Sequence, residues 1–171
     1  LIVAHDRNYG IGINGDLPWY FSKDLKHFSK LTRSDEKNIV VMGRNTWESI
    51  PMINRPLHNR VNIIISSKLR NEDFNDENVA VCKSFDEMLS LIKELKTKKT
   101  SVWFIGGAKI YKEALERNLI SKLYVTVIHG TFECDTFLDK KLLSSFHTHS
   151  TSTSVENNMK EIHSSSSNKH K

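Results

Sequence analysis

Short apolar runs separated by polar or glycine-containing turns organise this chain. Leu1-Ile2-Val3-Ala4, Asn38 to Met42, Val61 to Ile65 (opened by Arg60), Val79 to Cys82, Ser101 to Ile105 and Lys122 to Ile128 are continuous or nearly continuous in apolar character. Such runs predict buried strands. Between them the apolar positions move to helical spacing. Leu25, Phe28 and Leu31 follow Ser22 as a helix cap, and Phe85, Met88, Leu89, Ile92 and Leu95 share one helix face and read as core. Trp47 to Ile50 predicts a short helix ended by Pro51, and Ala108 to Arg117 a longer one.

The junctions carry the candidate chemistry. Gly10-Ile11-Gly12-Ile13-Asn14-Gly15 matches the spacing of a dinucleotide-binding turn. That turn needs a helix opening directly on the glycines. Here Asp16-Leu17-Pro18-Trp19 follows, and Pro18 biases Leu17 toward extended geometry. The stretch reads instead as a flexible loop able to close over a ligand. Gly106-Gly107 does meet the rule, because a strand precedes it and a helix follows, which aims free amides at an anion. Gly43-Arg44-Asn45-Thr46 offers a cation and a hydroxyl at a helix start, although Arg44 is equally readable as a solvated loop residue. Ser66-Ser67-Lys68 closes a strand at the sheet edge where open α/β sheets bind ligands.

Asp24 lies four residues before Phe28 on one edge of the first helix. It reads either as a first-turn acid favoured by the helix dipole or as a lone carboxylate at an apolar pocket. Thr126 is either an ordinary β-branched strand residue or a hydroxyl facing that pocket.

Composition narrows the rest. A chain of 171 residues, 38% hydrophobic and 26% charged, fits one globular domain. Its apolar runs are too short to span a bilayer, and Leu1 leads into Ile2-Val3 without a basic flank, so neither membrane insertion nor a signal peptide is expected. The absence of an initiator methionine points to a few residues missing in front of Leu1. Cys82 and Cys134 are far apart and outside any CxxC spacing, as expected of reduced cytoplasmic thiols. The net charge of +5 is spread without the basic, aromatic-laced stripe of a nucleic-acid binder and suits a small anionic ligand. Nothing in the sequence calls for a metal. From His147 to Lys171 the chain is rich in Ser, Thr, His and Asn, with Val155, Met159 and Ile162 its large apolar residues. That composition predicts a poorly ordered tail, so the expected division is a domain over 1–146 and a tail over 147–171.

Taken in order, the motifs resemble dihydrofolate reductase. The residues that carry the resemblance are Gly10-Ile11-Gly12, Asn14 to Trp19, Asp24-Leu25 with Phe28, and Met42 to Trp47. They continue with Arg55-Pro56-Leu57, Arg60, Ile105-Gly106-Gly107 with Tyr111, Tyr124-Val125-Thr126 and Asp135-Thr136-Phe137. The resemblance implies an α/β fold with a mostly parallel eight-stranded sheet and flanking helices. It implies an NADPH-dependent enzyme that reduces 7,8-dihydrofolate and binds antifolate-type small molecules. Such an enzyme is a cytoplasmic monomer or one domain of a longer bifunctional chain.

The resemblance also assigns roles. Asp24 would bind the pterin, with Thr126 supporting its carboxylate, and Trp19 and Leu17 would hold a water and shield the reacting ring. Ile2, Val3, Ala4, Leu25, Phe28, Ile50 and Leu57 would contact substrate, and Arg60 would pair with its glutamate carboxylate. The cofactor would meet Ala4, Ile11 and Gly12, then Gly43, Arg44, Asn45 and Thr46. Ser66, Ser67 and Lys68 would read its 2′-phosphate, and Ile105, Gly106, Gly107, Ala108, Lys109, Ile110 and Tyr111 its pyrophosphate and nicotinamide.

The chain departs from the family at its end. The family closes on an aromatic-rich antiparallel strand pair, for which Glu156 to Ile162 is the candidate here, followed by Ser-rich sequence. An incomplete pair would leave a sheet edge open and cost core burial. That departure keeps a second reading alongside the enzyme: a ligand-binding pseudoenzyme of the same fold with impaired turnover.

Overall fold

The structure, a computed structural model, describes residues 1–17, 22–144, 146–156 and 159–168; for 22–24, 147–156 and 159–168 the backbone alone is described. In chain order the elements are β1 (Ile2–His5), β2 (Gly10–Gly12), α1 (Ser22–Thr32), β3 (Asn38–Gly43), α2 (Arg44–Ser49), β4 (Arg60–Ile65) and β5 (Val79–Cys82). They continue with α3 (Phe85–Leu95), β6 (Val102–Gly106), α4 (Ala108–Glu116), β7 (Lys122–Ile128), β8 (Thr136–Phe137), β9 (Phe146–Glu156) and β10 (Met159–Asn168). The second helix begins at Arg44, earlier than the apolar spacing suggests, because it opens directly on Gly43 at the end of β3.

The core is an α/β arrangement with a parallel centre. β5, β4, β3 and β6 form one four-stranded sheet in that order, all parallel. β1, β7, β10 and β9 form a second, in which β1 and β7 are parallel and the last two strands antiparallel. β1 lies against β6 where the two sheets meet. Ile39, Val40, Val41 and Met42 of β3 and Ile63 and Ile64 of β4 are fully buried, as expected of strands covered on both faces.

Two expectations need correction. The glycine stretch read as a flexible loop contains strand β2, whose three residues are all buried and which pairs antiparallel with β8. The reason is close approach: a Cβ on Gly10 would sit 2.4 Å from the Cys134 sulfur. The glycines let the Cys134 segment pack on the strand, and no helix opens on them.

The stretch from His147 is the second difference. Composition predicts a tail there, whereas β9 and β10 run antiparallel to each other, and β10 pairs along β7 from Glu161↔Ile128 to Ser167↔Lys122. Composition reads side chains, but a ladder is made by backbone N–H and C=O groups, which Ser and Thr carry as well as Val does. β7 has β1 on one side and β10 on the other, so its edge is closed.

Candidate functional site

Parallel strands place their C-terminal ends together, and here those ends are glycine turns. Gly43 ends β3 opposite Ile65 of β4, and Met42 pairs with Gly106 of β6. The register therefore puts Gly43-Arg44, Ser66-Ser67-Lys68 and Gly106-Gly107 along one sheet edge. Helices α2 and α4 both start there, and neither N-cap glycine makes a side-chain cap. Uncapped N-termini leave amides for an anion.

Gly106 is needed for contact as well. Gly106 has φ +119°, a conformation that disfavours any side chain, and a Cβ on it would meet the Tyr111 hydroxyl at 3.0 Å. A Cβ on Gly107 would lie 3.7 Å from Thr46 Oγ1, so the start of α4 faces the start of α2. Tyr111 is buried and donates its hydroxyl proton to the Ile2 carbonyl at 2.9 Å, which ties α4 to β1 beneath the turn.

From this edge a cleft of about 820 Å³ runs toward α1. That is the size of a cavity for a large organic ligand. Its apolar walls include Ile2, Val3 and Ala4 of β1, Leu25 and Phe28 of α1, and Ile50 and Leu57. At the glycine end it is lined by Ile11, Gly12, Asn45, Thr46, Ile105, Gly106, Gly107, Ala108 and Tyr111. Thr126 reaches it from β7, is buried, and pairs in register with Ala4. Leu17 lines the mouth and is half exposed.

At the other end stands Arg60, 4% exposed. Its Nη1 donates to Thr32 Oγ1 at 2.8 Å, its Nε donates to the His58 carbonyl at 2.9 Å, and its guanidinium carbon lies 6.0 Å from the centre of the Phe28 ring. Burial, with a smaller contribution from nearby Arg33, brings its pKa down to about 10. The group stays charged at neutral pH but is poorly solvated, so a carboxylate is its natural partner.

Several expected residues stand elsewhere. Gly43, Arg44, Lys109 and Ile110 are not part of the cleft wall. Arg44 pairs with Glu48 at 3.3 Å, Ile110 is in the core and Lys109 points into solvent. Ser66 is buried and its Oγ accepts the Lys68 and Leu69 amides, which holds its own turn, while Ser67 and Lys68 are exposed beyond the cleft. Trp19 lies outside the described residues, as does the side chain of Asp24. The backbone of Asp24 is in the first turn of α1, one turn before Phe28.

Sequence reasoning missed Ser29, Arg33, Ser49, His58 and Thr136 in the cleft wall. Leu25, Ser29 and Arg33 follow each other at four-residue spacing, a stripe that was readable; Thr136 arrives through the β2–β8 pairing and was not. Also missed was Asp6, wholly buried beside the site, which accepts the amides of Asn8, Gly10 and Phe132 at 2.8–2.9 Å.

Comparison with known proteins agrees with this geometry. The family model described as dihydrofolate reductase matches residues 1–170. The chain is 40% identical over 141 residues to the dihydrofolate reductase of Drosophila melanogaster, covering 80% of this chain and 76% of that one. It is 43% identical over 143 residues to that of Sus scrofa, covering 80% and 76%. It is also 41% identical over 146 residues to the bifunctional dihydrofolate reductase-thymidylate synthase 2 of Arabidopsis thaliana, covering 81% of this chain and 26% of the longer one.

Proposed function

This chain belongs to the dihydrofolate reductase family, and from that premise we propose that it reduces dihydrofolate to tetrahydrofolate and so supports one-carbon metabolism. The observation that carries the proposal is one continuous cleft with a phosphate-ready glycine edge at one end and a buried arginine at the other.

The residues at the glycine end fit NADPH. Two uncapped helix starts and a glycine turn whose Gly106 has φ +119° suit a pyrophosphate held by backbone. Asn45, Thr46 and Ala108 would hold the phosphates, Ser67 and Lys68 the 2′-phosphate, and Ala4, Ile11 and Tyr111 the nicotinamide. When bound, NADPH supplies the hydride; the protein has to align two rings and exclude water.

Asp24 would bind the pterin's ring nitrogen and amino group and favour protonation at N5, with Thr126 supporting its carboxylate. Desolvation raises the cost of an ionised acid beside Leu25 and Phe28, and a cationic pterin offsets it. Trp19 and Leu17 would close the mouth over the ring. Arg60 would take a carboxylate of the substrate tail. On this reading the two four-stranded sheets continue one another as the family's eight-stranded sheet. The protein would work as a cytoplasmic monomer, or as a domain of a bifunctional chain, on free small molecules and antifolates, without nucleic acid or a membrane. Among the described residues no helix is long and apolar enough to cross a bilayer.

The pseudoenzyme reading rested on a missing last strand pair, and β9 and β10 remove that ground. The test is NADPH oxidation on adding dihydrofolate, run beside Asp24→Asn. Turnover that falls at least a hundredfold in the variant is expected at neutral pH. NADPH binding without turnover in the unaltered chain would sink the proposal.

A further inference from the structure

Helix α2 reaches both halves of the cleft. Asn45 and Thr46 line it at the glycine end, and Ser49, Ile50 and Pro51 line it farther along, on the substrate side. The chain then turns through Met52–Asn54 and comes back at Arg55. That turn has no buried residue of its own. Met52 and Ile53 are 82% and 86% exposed, while Pro51 and Asn54 line the cleft. A rim without an apolar anchor takes its position from hydrogen bonds. Two of these lie inside the turn: the Asn54 amide donates to the Pro51 carbonyl at 2.8 Å and the Arg55 amide to the Met52 carbonyl at 3.2 Å.

The Arg55 side chain ties the turn back to the helix. Its Nε donates to the Ile50 carbonyl at 2.6 Å and its Nη2 donates to the Glu48 carbonyl. These belong to the C-terminal end of α2, where carbonyls have no partner within the helix and a cation is favoured. The guanidinium carbon stands 5.6 Å from the centre of the Trp47 ring. Trp47 is itself buried and meets Phe74 edge-on at 5.5 Å, so the fork rests on a ring fixed in the core.

We propose that Arg55 is a positioning residue for the reaction: it closes the C-terminal end of α2 and so fixes Ile50, Pro51 and Asn54 as the outer wall against the substrate, without itself taking a carboxylate. This rests on the folate reading of the cleft and adds a residue that acts through the wall. Without the two carbonyl contacts the rim is free to drift, and a shift of about 1 Å is enough to loosen a ring packed on it. The cofactor meets the other end of α2 and keeps its contacts there. An arginine beside the cleft could instead bind an acidic tail directly. The two roles read different things. A brace acts on the ring system and is indifferent to tail and salt, whereas an ion pair needs the tail and is screened.

The experiment compares the unaltered chain with Arg55→Gln and Arg55→Lys. KM, kcat and Kd are measured for dihydropteroate, dihydrofolate and NADPH, at low ionic strength and in about 0.5 M salt. Hydrogen exchange is followed by mass spectrometry on the ligand-free proteins. Arg55→Gln is expected to raise KM and Kd for dihydropteroate and dihydrofolate alike by about tenfold at either salt concentration, with kcat and the NADPH constants changed less than about twofold. The amides at positions 50, 54 and 55 should exchange about tenfold faster, with those of β3 unchanged. Arg55→Lys, able to reach one carbonyl and not both, should lose about threefold.

A loss confined to dihydrofolate, or abolished by salt, would assign Arg55 to a carboxylate and overturn the proposal. So would an equal loss for NADPH, no loss for either substrate, or unchanged exchange at positions 50, 54 and 55. The exchange arm decides on the brace even if turnover is absent, whereas absent turnover in the unaltered chain counts against the folate reductase reading alone.

Discussion

Arg60 Nη1 donates a hydrogen bond to Thr32 Oγ1 at 2.8 Å, and the Thr32 hydroxyl in turn donates to the Phe28 carbonyl at 2.9 Å. The first residue of β4 is thereby locked to the last residue of α1, across the end of the cleft. Thr32 is wholly buried, so the bond is shielded from water. Thr32→Ala should leave Arg60 charged but poorly aimed. The loss of one hydrogen bond to a charged group is worth about 1.5–3 kcal/mol. KM for dihydrofolate should rise about tenfold or more, with the cofactor's KM little changed. Steady-state kinetics with each ligand varied in turn checks this.

Asp6 gathers the β1–β2 turn and the Phe132 segment through three amides. Burial pushes its carboxyl up, but the three N–H donors and His5 together hold it below the ordinary carboxylate value. Asp6→Asn removes a charged acceptor and should destabilise the fold by about 2–3 kcal/mol at pH 7. Because the folded pKa is depressed, this contribution is complete above the unfolded value, near pH 4, and is lost as pH falls through the folded one. Urea unfolding of both proteins should therefore show the gap narrowing below about pH 4.

Asp135 ties the loop at the cleft mouth to β8. Its Oδ2 accepts the Asn14 amide at 2.8 Å, its Oδ1 accepts the Thr136 hydroxyl at 2.8 Å, and its own amide donates to the Gly12 carbonyl at 2.9 Å. The Asn14 amide is the main cause of its lowered pKa. Asp135→Ala should free the 13–17 segment, making it more sensitive to limited proteolysis and weakening cofactor binding several-fold. Unchanged proteolysis and unchanged cofactor Kd would show that the tether has no part in closing the mouth.

The C-terminal strands are testable by removal. A chain ending at Phe146 would lose the whole β10 ladder on β7, exposing an edge next to the buried Leu123, Val125 and Ile128. It should lose cooperative thermal unfolding and aggregate through that edge. A truncated protein with an unchanged Tm would show that β9 and β10 contribute nothing to the fold.

Tyr111→Phe would leave the Ile2 carbonyl without the 2.9 Å bond that links α4 to β1. A buried acceptor deprived of its donor costs about 1–3 kcal/mol. Both stability and nicotinamide placement should suffer, read as a lower Tm and a higher cofactor Kd.

The sequence determined the local elements and the chemistry available at their ends. Apolar runs at Asn38 to Met42, Val61 to Ile65 and Lys122 to Ile128 could only be buried, so they marked the strands; Gly106-Gly107 had to be a turn that a backbone or ligand approaches closely. Those signals are local, since each depends on spacing within one element. What the tertiary structure decided is who faces whom. The parallel register brought Gly43 beside Gly106, the chain returning from Cys134 made β2 a strand, and β7 offered an edge that turned a serine-rich stretch into β9 and β10. Such pairings join residues far apart in sequence through backbone hydrogen bonds and packing, and no periodicity within one segment encodes the partner on another.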